Sequence, residues 1–294
     1  MILLRSPLFV PGNRPRMFEK ALGLVPDAFV PDLEDSVPAA EKDRARDTTV
    51  SYLPRLASTG VKVIPRVNPE DTGRLEDDLA AVVGPYTYGV SVGKVGDADD
   101  VRRAAEMLDE VEGRAGLEAG HTRLVVWVET ALAVVNTYQI AAASPRVIAV
   151  AFGAEDFTND MGIERSEAGS EVAYPRAAVC VAAQAAGVLA LDTPYFGFRD
   201  PEGLQRDVVA SRRLGFRGKF AIHPDQITTI NEGFGPTTAE VENARRVVAA
   251  FEEAERAGRG STSLDGQVVD VPVVKRARSL LETASRLAAP GGRA

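Results

Sequence analysis

The sequence predicts a (β/α)8 TIM barrel with a C-terminal helical extension. Eight short runs rich in Val, Ile, Leu and Phe recur at regular intervals, at 2–10, 27–33, 61–67, 88–95, 123–129, 146–152, 187–192 and 218–223. Several are nearly continuous in apolar residues rather than alternating, which suits parallel strands covered on both faces. Helix-like sequence follows each run, as a closed parallel barrel requires. A doubly wound open sheet is the competing architecture. It is weaker because no G-x-G-x-x-G turn follows the first run.

The connecting segments carry their own signals. FVPGNRPRMFEKA (9–21) turns at Pro11-Gly12 and then starts a helix bearing Arg14, Arg16 and Lys20. Arg16 and Lys20 are four residues apart and share a face. EKDRARDTTVSYLPRLAS and DADDVRRAAEMLDEVEG open on acids, as helix N-termini prefer. SEVAYPRAAVCVAAQAAG is Ala-rich and stops at Gly187. Beyond the eighth run, PTTAEVENARRVVAAFEEAERAG (236–258) is an amphipathic helix opened by capping-box spacing. GRGSTSLDGQVVDVP (258–272) reads as a flexible hinge that becomes extended, and VVKRARSLLETASRLAA (273–289) as a final helix. The expected division is a barrel over 1–235 and an extension over 236–294.

Composition narrows the function. The 294 residues are 45% hydrophobic and 26% charged, with 34 basic against 42 acidic side chains and a net charge of −8. Nucleic-acid binders usually show a basic excess, so that class is disfavoured. The single cysteine, Cys180, rules out an internal disulfide, and its setting in AAVCVAAQAAG is that of a reduced core thiol. No run approaches the ~20 apolar residues of a membrane span, and MILLRSPLFVPG is interrupted too soon for a signal peptide. The chain reads as cytoplasmic.

Position makes the polar residues informative. A barrel brings the C-terminal ends of all its strands to one mouth. Those ends carry Asp32, Glu34 and Asp35, then Arg66 and Asn68, Lys94, Glu129, Glu155 and Asp156, Asp192, and His223. So many acids repel unless a cation sits among them. With two histidines and one cysteine in the chain, oxygen ligands and a hard cation such as Mg²⁺ fit better than zinc. Glu129 and Asp156 fit best, because each closely follows an apolar strand. In the competing reading these acids only form ion pairs with Arg66 and Lys94. Arg14, Arg16 and Lys20 oppose the helix dipole. A bound phosphate accounts for that, and a solvated basic face is the plain alternative. His223 is equally a packed strand-end residue, and His121 an exposed loop residue.

At these residues the sequence resembles the citrate lyase β-subunit-like family, which includes malyl-CoA and citramalyl-CoA lyases of the HpcH/HpaI aldolase superfamily. The likeness runs through RSPLFVPGNRPRMFEKA, DLEDSV with EKDRAR, PRVN, GKV, VETALAVVNT, AFGAEDFTNDMG, YPRAAV, RRLGFRGKFAIHPDQI, NEGFGPTTAE and LDGQVVDVPVV. It implies a trimeric (β/α)8 barrel with Mg²⁺ (Mn²⁺ as a substitute) and a CoA thioester at the mouth. Glu129 and Asp156 then resemble the metal ligands, with Glu34 beside the metal shell. Arg66 resembles the guanidinium that meets the substrate's carboxylate or developing enolate. Arg14 and Lys20 resemble contacts to the CoA phosphates, with Phe9 near the same edge. Asp270 resembles a general base that the segment 259–294 delivers to a neighbouring subunit. The implied reaction cleaves a carboxylated 3-hydroxyacyl-CoA into an acyl-CoA and a 2-oxo acid. A citryl-cleaving subunit of a larger complex, a thioesterase or malate-synthase-like outcome, and a non-catalytic CoA-binding subunit are the alternatives. SVGKV stands where the family usually has Leu-Pro-Lys-Val, and Pro31 precedes DLED. Both departures leave substrate choice open.

Overall fold

The computed structural model describes residues 2–166 and 169–288 and divides after Asn231 into two compact units. In the first unit β1 (Pro7–Pro11) leads through α1 (Pro15–Ala21) to β2 (Ala28–Asp32), and α2 (Lys42–Ala57) leads on to the third barrel strand. That strand is split into β3 (Lys62–Val63) and β4 (Arg66–Val67). Pro65 lies in the gap; with no N–H to give to a ladder it interrupts the run expected over 61–67. α3 (Leu75–Val82), β5 (Gly89–Val92), α4 (Ala98–Ala115) and β6 (Arg123–Val128) follow. Next come the short α5 (Ala131–Val135) and α6 (Thr137–Ala141), β7 (Val147–Phe152), α7 (Ala154–Asp160), α8 (Ala173–Ala186), β8 (Leu189–Asp192), α9 (Pro201–Leu214) and β9 (Gly218–Lys219).

All neighbouring strands pair in parallel, in the order β1-β2-β4-β5-β6-β7-β8-β9, with β3 beside β2. The sheet closes where Leu8 bridges Ala221, through Phe9 N–H to the Ala221 carbonyl at 2.9 Å and Ala221 N–H to the Pro7 carbonyl at 2.8 Å. The helices end where the sequence lets them. Asp97 and Asp100 form a capping box on α4, which stops at Gly116 with φ 68. α8 stops at Gly187 with φ 75.

Side-chain parity fixes what faces inward. Ala28, Val30, Ile64, Val125, Trp127, Ala149, Ala151, Leu191 and Phe220 form one buried cluster inside the barrel. Strand side chains alternate, so two positions further on Asp32, Arg66, Glu129 and Ile222 also point inward, toward the mouth. Asp192 follows Leu191 and therefore points outward. Its carboxylate meets Lys219 at 2.7 Å, Ser211 on α9 at 2.5 Å and Arg176 on α8, which corrects the expectation that it lines the mouth.

α10 (Gln226–Phe234) spans the boundary between the units. The second unit contains α11 (Thr238–Arg256), the antiparallel strands β10 (Thr262–Leu264) and β11 (Gln267–Val269), and α12 (Val271–Ala288). The stretch expected as a hinge is thus largely a hairpin. Asp265 and Gly266, at φ 50 and 76, supply the two left-handed residues of a tight turn. Phe251, Val247, Val269 and Val274 form a core of this unit's own.

Candidate active site

The mouth of the barrel is a cavity of about 380 Å³. Phe9, Trp127 and Ile222 line one part of it, and Asp32, Asp35, Arg66, Glu129 and Asp156 another. Phe9, Trp127 and Phe220 stack with ring centroids 4.4 to 5.9 Å apart, and Trp127 donates to Ser91 Oγ at 2.7 Å. The Arg66 guanidinium lies over the Phe9 ring at 4.6 Å, where the aromatic face favours a cation.

Arg66 is held on several sides. Its Nε and Nη2 donate to the two oxygens of Asp32 at 2.7 and 2.8 Å, and Nη1 donates to Asp35 at 3.0 Å. Asp32 also accepts from the backbone N–H groups of Glu34 and Ser36, so one carboxylate fixes both the guanidinium and the turn after β2. Burial pushes the Asp32 carboxyl up, but the Arg66 charge together with the hydrogen bonds from Arg66, Ser36 and Glu34 holds it below the ordinary range. Lys42 fastens the same turn from behind, donating to the carbonyls of Leu33 and Glu34 at 2.8 Å each.

Glu34 and Glu129 contrast with Asp32. Both are buried, each 3% exposed. Arg66 Nη1 lies 2.7 Å from Glu34 Oε2, yet at an angle that makes no hydrogen bond, and both Glu34 oxygens are buried without one. Lys94 Nζ is 3.4 Å from Glu34 Oε1. Burial pushes the Glu34 carboxyl up to about 7, with the Asp35 and Asp32 charges adding to the rise and Arg66 and Lys94 opposing it. Glu129 receives the backbone N–H of Lys94 at 2.9 Å. Burial, helped by the nearby Glu34 and Asp156 charges, pushes it up to about 8. Burial and Asp35 also raise the half-buried Asp156.

Two glycines make room for these acids. A Cβ on Gly153 would sit 2.5 Å from Glu129 Oε1, and one on Gly93 would sit 3.3 Å from Glu34 Oε1 and 3.5 Å from Glu129 Oε2. Lys94 has a left-handed backbone at φ 56, a conformation that costs a residue with a Cβ roughly 1–2 kcal/mol.

Among the described residues no three His, Cys, Asp or Glu side chains form a ready-made metal cage. Buried carboxylates with unfilled lone pairs, held at high pKa chiefly by burial and further by one another, nevertheless fit a hard cation. Mg²⁺ takes one or two protein carboxylates and leaves its other positions to water and substrate.

The remaining expected residues fall elsewhere. Arg14, Arg16 and Lys20 are exposed at and along α1; Phe9, grouped with Arg14 and Lys20, points into the mouth instead. Asn68 donates to Asp78 on α3 at 2.6 Å. Glu155 does line the mouth cavity, but it is exposed and pairs with Arg165, while Asp160 accepts from the Ala131 N–H at 2.8 Å. His223 stacks on Phe198 at 5.4 Å and His121 is exposed. Asp270 belongs to the second unit, where its Oδ1 accepts from Val273 N–H at the start of α12. Cys180 is buried, its thiol pushed up to about 12 by burial. No helix among the described residues is long and apolar enough to cross a membrane.

Comparison with known proteins gives this arrangement a family. Residues 5–224 match the profile of the HpcH/HpaI aldolase/citrate lyase family. The citrate lyase subunit beta of Haemophilus influenzae is 38% identical over 284 residues, 97% of this chain and 98% of that one. A (3S)-malyl-CoA thioesterase of Cereibacter sphaeroides is 37% identical over 289 residues, 98% of this chain and 96% of that one. Among solved structures, the protein CitE of Mycobacterium tuberculosis in complex with magnesium, acetoacetate and coenzyme A aligns with a TM-score of 0.77. It is 30% identical, covering 96% of this chain and 98% of that one. The chain is a member of the HpcH/HpaI aldolase/citrate lyase family of carbon–carbon lyases.

Proposed function

We propose that the protein cleaves a carboxylated 3-hydroxyacyl-CoA, such as malyl-CoA or citramalyl-CoA, reversibly into an acyl-CoA and a 2-oxo acid, with Mg²⁺ bound. The observation that carries this is the excess of acid at the mouth, where Glu129 and Glu34 are buried with too few partners to ionise at their ordinary pKa. Glu129 and Asp156 would hold the Mg²⁺, with Glu34 behind them. When bound, it supplies Lewis acidity toward the oxygens of the hydroxy acid or 2-oxo acid. Arg66, kept cationic by Asp32 and fixed over Phe9, offsets the negative charge that develops on the acyl fragment as the bond breaks. Arg14 and Lys20 supply exposed cations for the CoA phosphates, and Phe9 an apolar wall within the mouth. Asp270 of a second copy in a homo-oligomer, a trimer in this reading, takes the hydroxyl proton in cleavage. In this reading Mn²⁺ substitutes for Mg²⁺ and the cytoplasm is the expected compartment.

The 37% identity to a malyl-CoA thioesterase supports a second reading, hydrolysis of the thioester. The 38% identity to citrate lyase subunits supports a third, cleavage of a citryl thioester on an acyl carrier protein. A panel of malyl-CoA, citramalyl-CoA and citryl thioesters, offered to the purified protein with Mg²⁺, separates the three. Release of a 2-oxo acid without free CoA supports the lyase; free CoA without a 2-oxo acid replaces it with the thioesterase. Turnover of the carrier-bound citryl thioester alone replaces it with the citrate lyase subunit.

A further inference from the structure

Among the described residues only Lys94 and Asp265 have a positive φ without being glycine. Asp265 is explained by its hairpin turn. Lys94 occupies no hairpin, and its side chain is exposed at the mouth. The left-handed backbone lets one residue act in two directions. Its N–H goes to Glu129 Oε2 at 2.9 Å, while its Nζ lies 3.4 Å from Glu34 Oε1 and 4.0 Å from Asp35 Oδ1. Gly93, immediately before it, is where a Cβ would press on Glu34 and Glu129 together.

The charges at the mouth show what that arrangement does. The single charge of Arg66 is shared: two contacts go to Asp32, and Nη1 donates to Asp35 at 3.0 Å and lies 2.7 Å from Glu34. Five acids, Asp32, Glu34, Asp35, Glu129 and Asp156, thus outnumber that one guanidinium, and Lys42 reaches this turn through the Leu33 and Glu34 carbonyls rather than through a carboxylate. Lys94 is therefore the exposed ammonium set against the acids that would attract a divalent cation.

We propose that Lys94 is a positioning and charge-balancing residue, whose N–H orients Glu129 and whose ammonium offsets Glu34 and Asp35, holding the cation affinity of the mouth below what its carboxylates alone would give. The proposal rests on the magnesium reading above. Its sign is specific. A lysine that merely supported the fold would loosen the site when replaced, whereas removing a nearby positive charge tightens cation binding. At the effective dielectric of a protein surface one such charge is worth about tenfold in affinity, and salt screens it.

The test is calorimetric titration of MgCl₂ into the full-length protein without substrate, comparing wild type with Lys94→Met and Lys94→Arg. Lys94→Met should bind Mg²⁺ about tenfold more tightly, with the gain shrinking in high salt, and Lys94→Arg should return to within about twofold of wild type. Lys94→Gly keeps the N–H and relieves the left-handed strain; it should show the same tightening even if Lys94→Met is poorly folded. Equal or weaker Mg²⁺ binding by folded Lys94→Met or Lys94→Gly overturns the proposal while leaving the magnesium site in place. If wild type takes up no Mg²⁺ and Asp156→Ala gives the same trace, the magnesium reading falls and the proposal falls with it.

Discussion

The two ends of the barrel bury charge in opposite ways. At the N-terminal end, Glu112 on α4 accepts from both Nη groups of Arg146 at 2.8 and 2.7 Å and from the N–H groups of Thr122 and Gly120 at 2.6 and 2.9 Å. Burial would raise the Glu112 carboxyl, but these donors hold it down at about 2. At the same end, just ahead of β1 and β2, Arg5 and Asp27 repeat the pattern, with contacts of 2.8 Å. At the mouth, Glu34 lacks hydrogen bonds and Glu129 has the one N–H from Lys94, and both are pushed up instead of down. Side chains equally closed to solvent therefore differ in meaning, by depth and by the donors that meet them. A carboxylate with every lone pair filled ties elements together, and one left short is poised for a ligand.

The difference can be broken from either end. The largest effect is expected for Asp156→Ala, which should lower 2-oxo acid release by on the order of 10³-fold while the melting temperature stays near wild type. Arg146→Met attacks the other end. It strands the buried Glu112 and should cost about 3–5 kcal/mol of stability in denaturant titration, with turnover per folded molecule unchanged. Gly153→Ala tests the fit around Glu129, because its Cβ would meet the carboxylate at 2.5 Å. A displacement of that size should reduce kcat by about 10²-fold with little loss of Tm.

A smaller effect concerns pH. Glu129 has its folded pKa at about 8, above the ordinary 4.5. The folded protein therefore keeps a proton that the unfolded chain has lost. Stability present below 4.5 is lost as pH climbs to about 8. The metal-free protein should thus lose Tm across this window, and Mg²⁺ should restore it at the alkaline end. Glu129→Gln should lose less Tm than wild type over the same range.

The barrel was legible because its information is local. Apolar runs of the right length, acids opening the helices and glycines closing them all lie within a few residues of the elements they define. Strand-end position likewise put Arg66, Glu129 and Asp156 among the residues expected at the mouth, whose cavity they line. What escaped was side-chain partnership across the fold. Asp32 and Arg66 are 34 positions apart, and no pattern in DLED or PRVN says that one carboxylate will take both arms of the guanidinium. Asp192 shows the same limit from the other side. Its place at a strand end suggested the mouth, but one step of alternation turned it toward Lys219 and Arg176. The left-handed Lys94 gave no signal either, since αL geometry is announced by glycine or asparagine and here a lysine adopts it.

The most direct test is 2-oxo acid release from malyl-CoA and citramalyl-CoA by the purified protein, with and without EDTA. The account predicts that release stops with the chelator and returns when Mg²⁺ is added in excess. Turnover undiminished by EDTA would contradict it, because the acids at the mouth would then have no cation to serve.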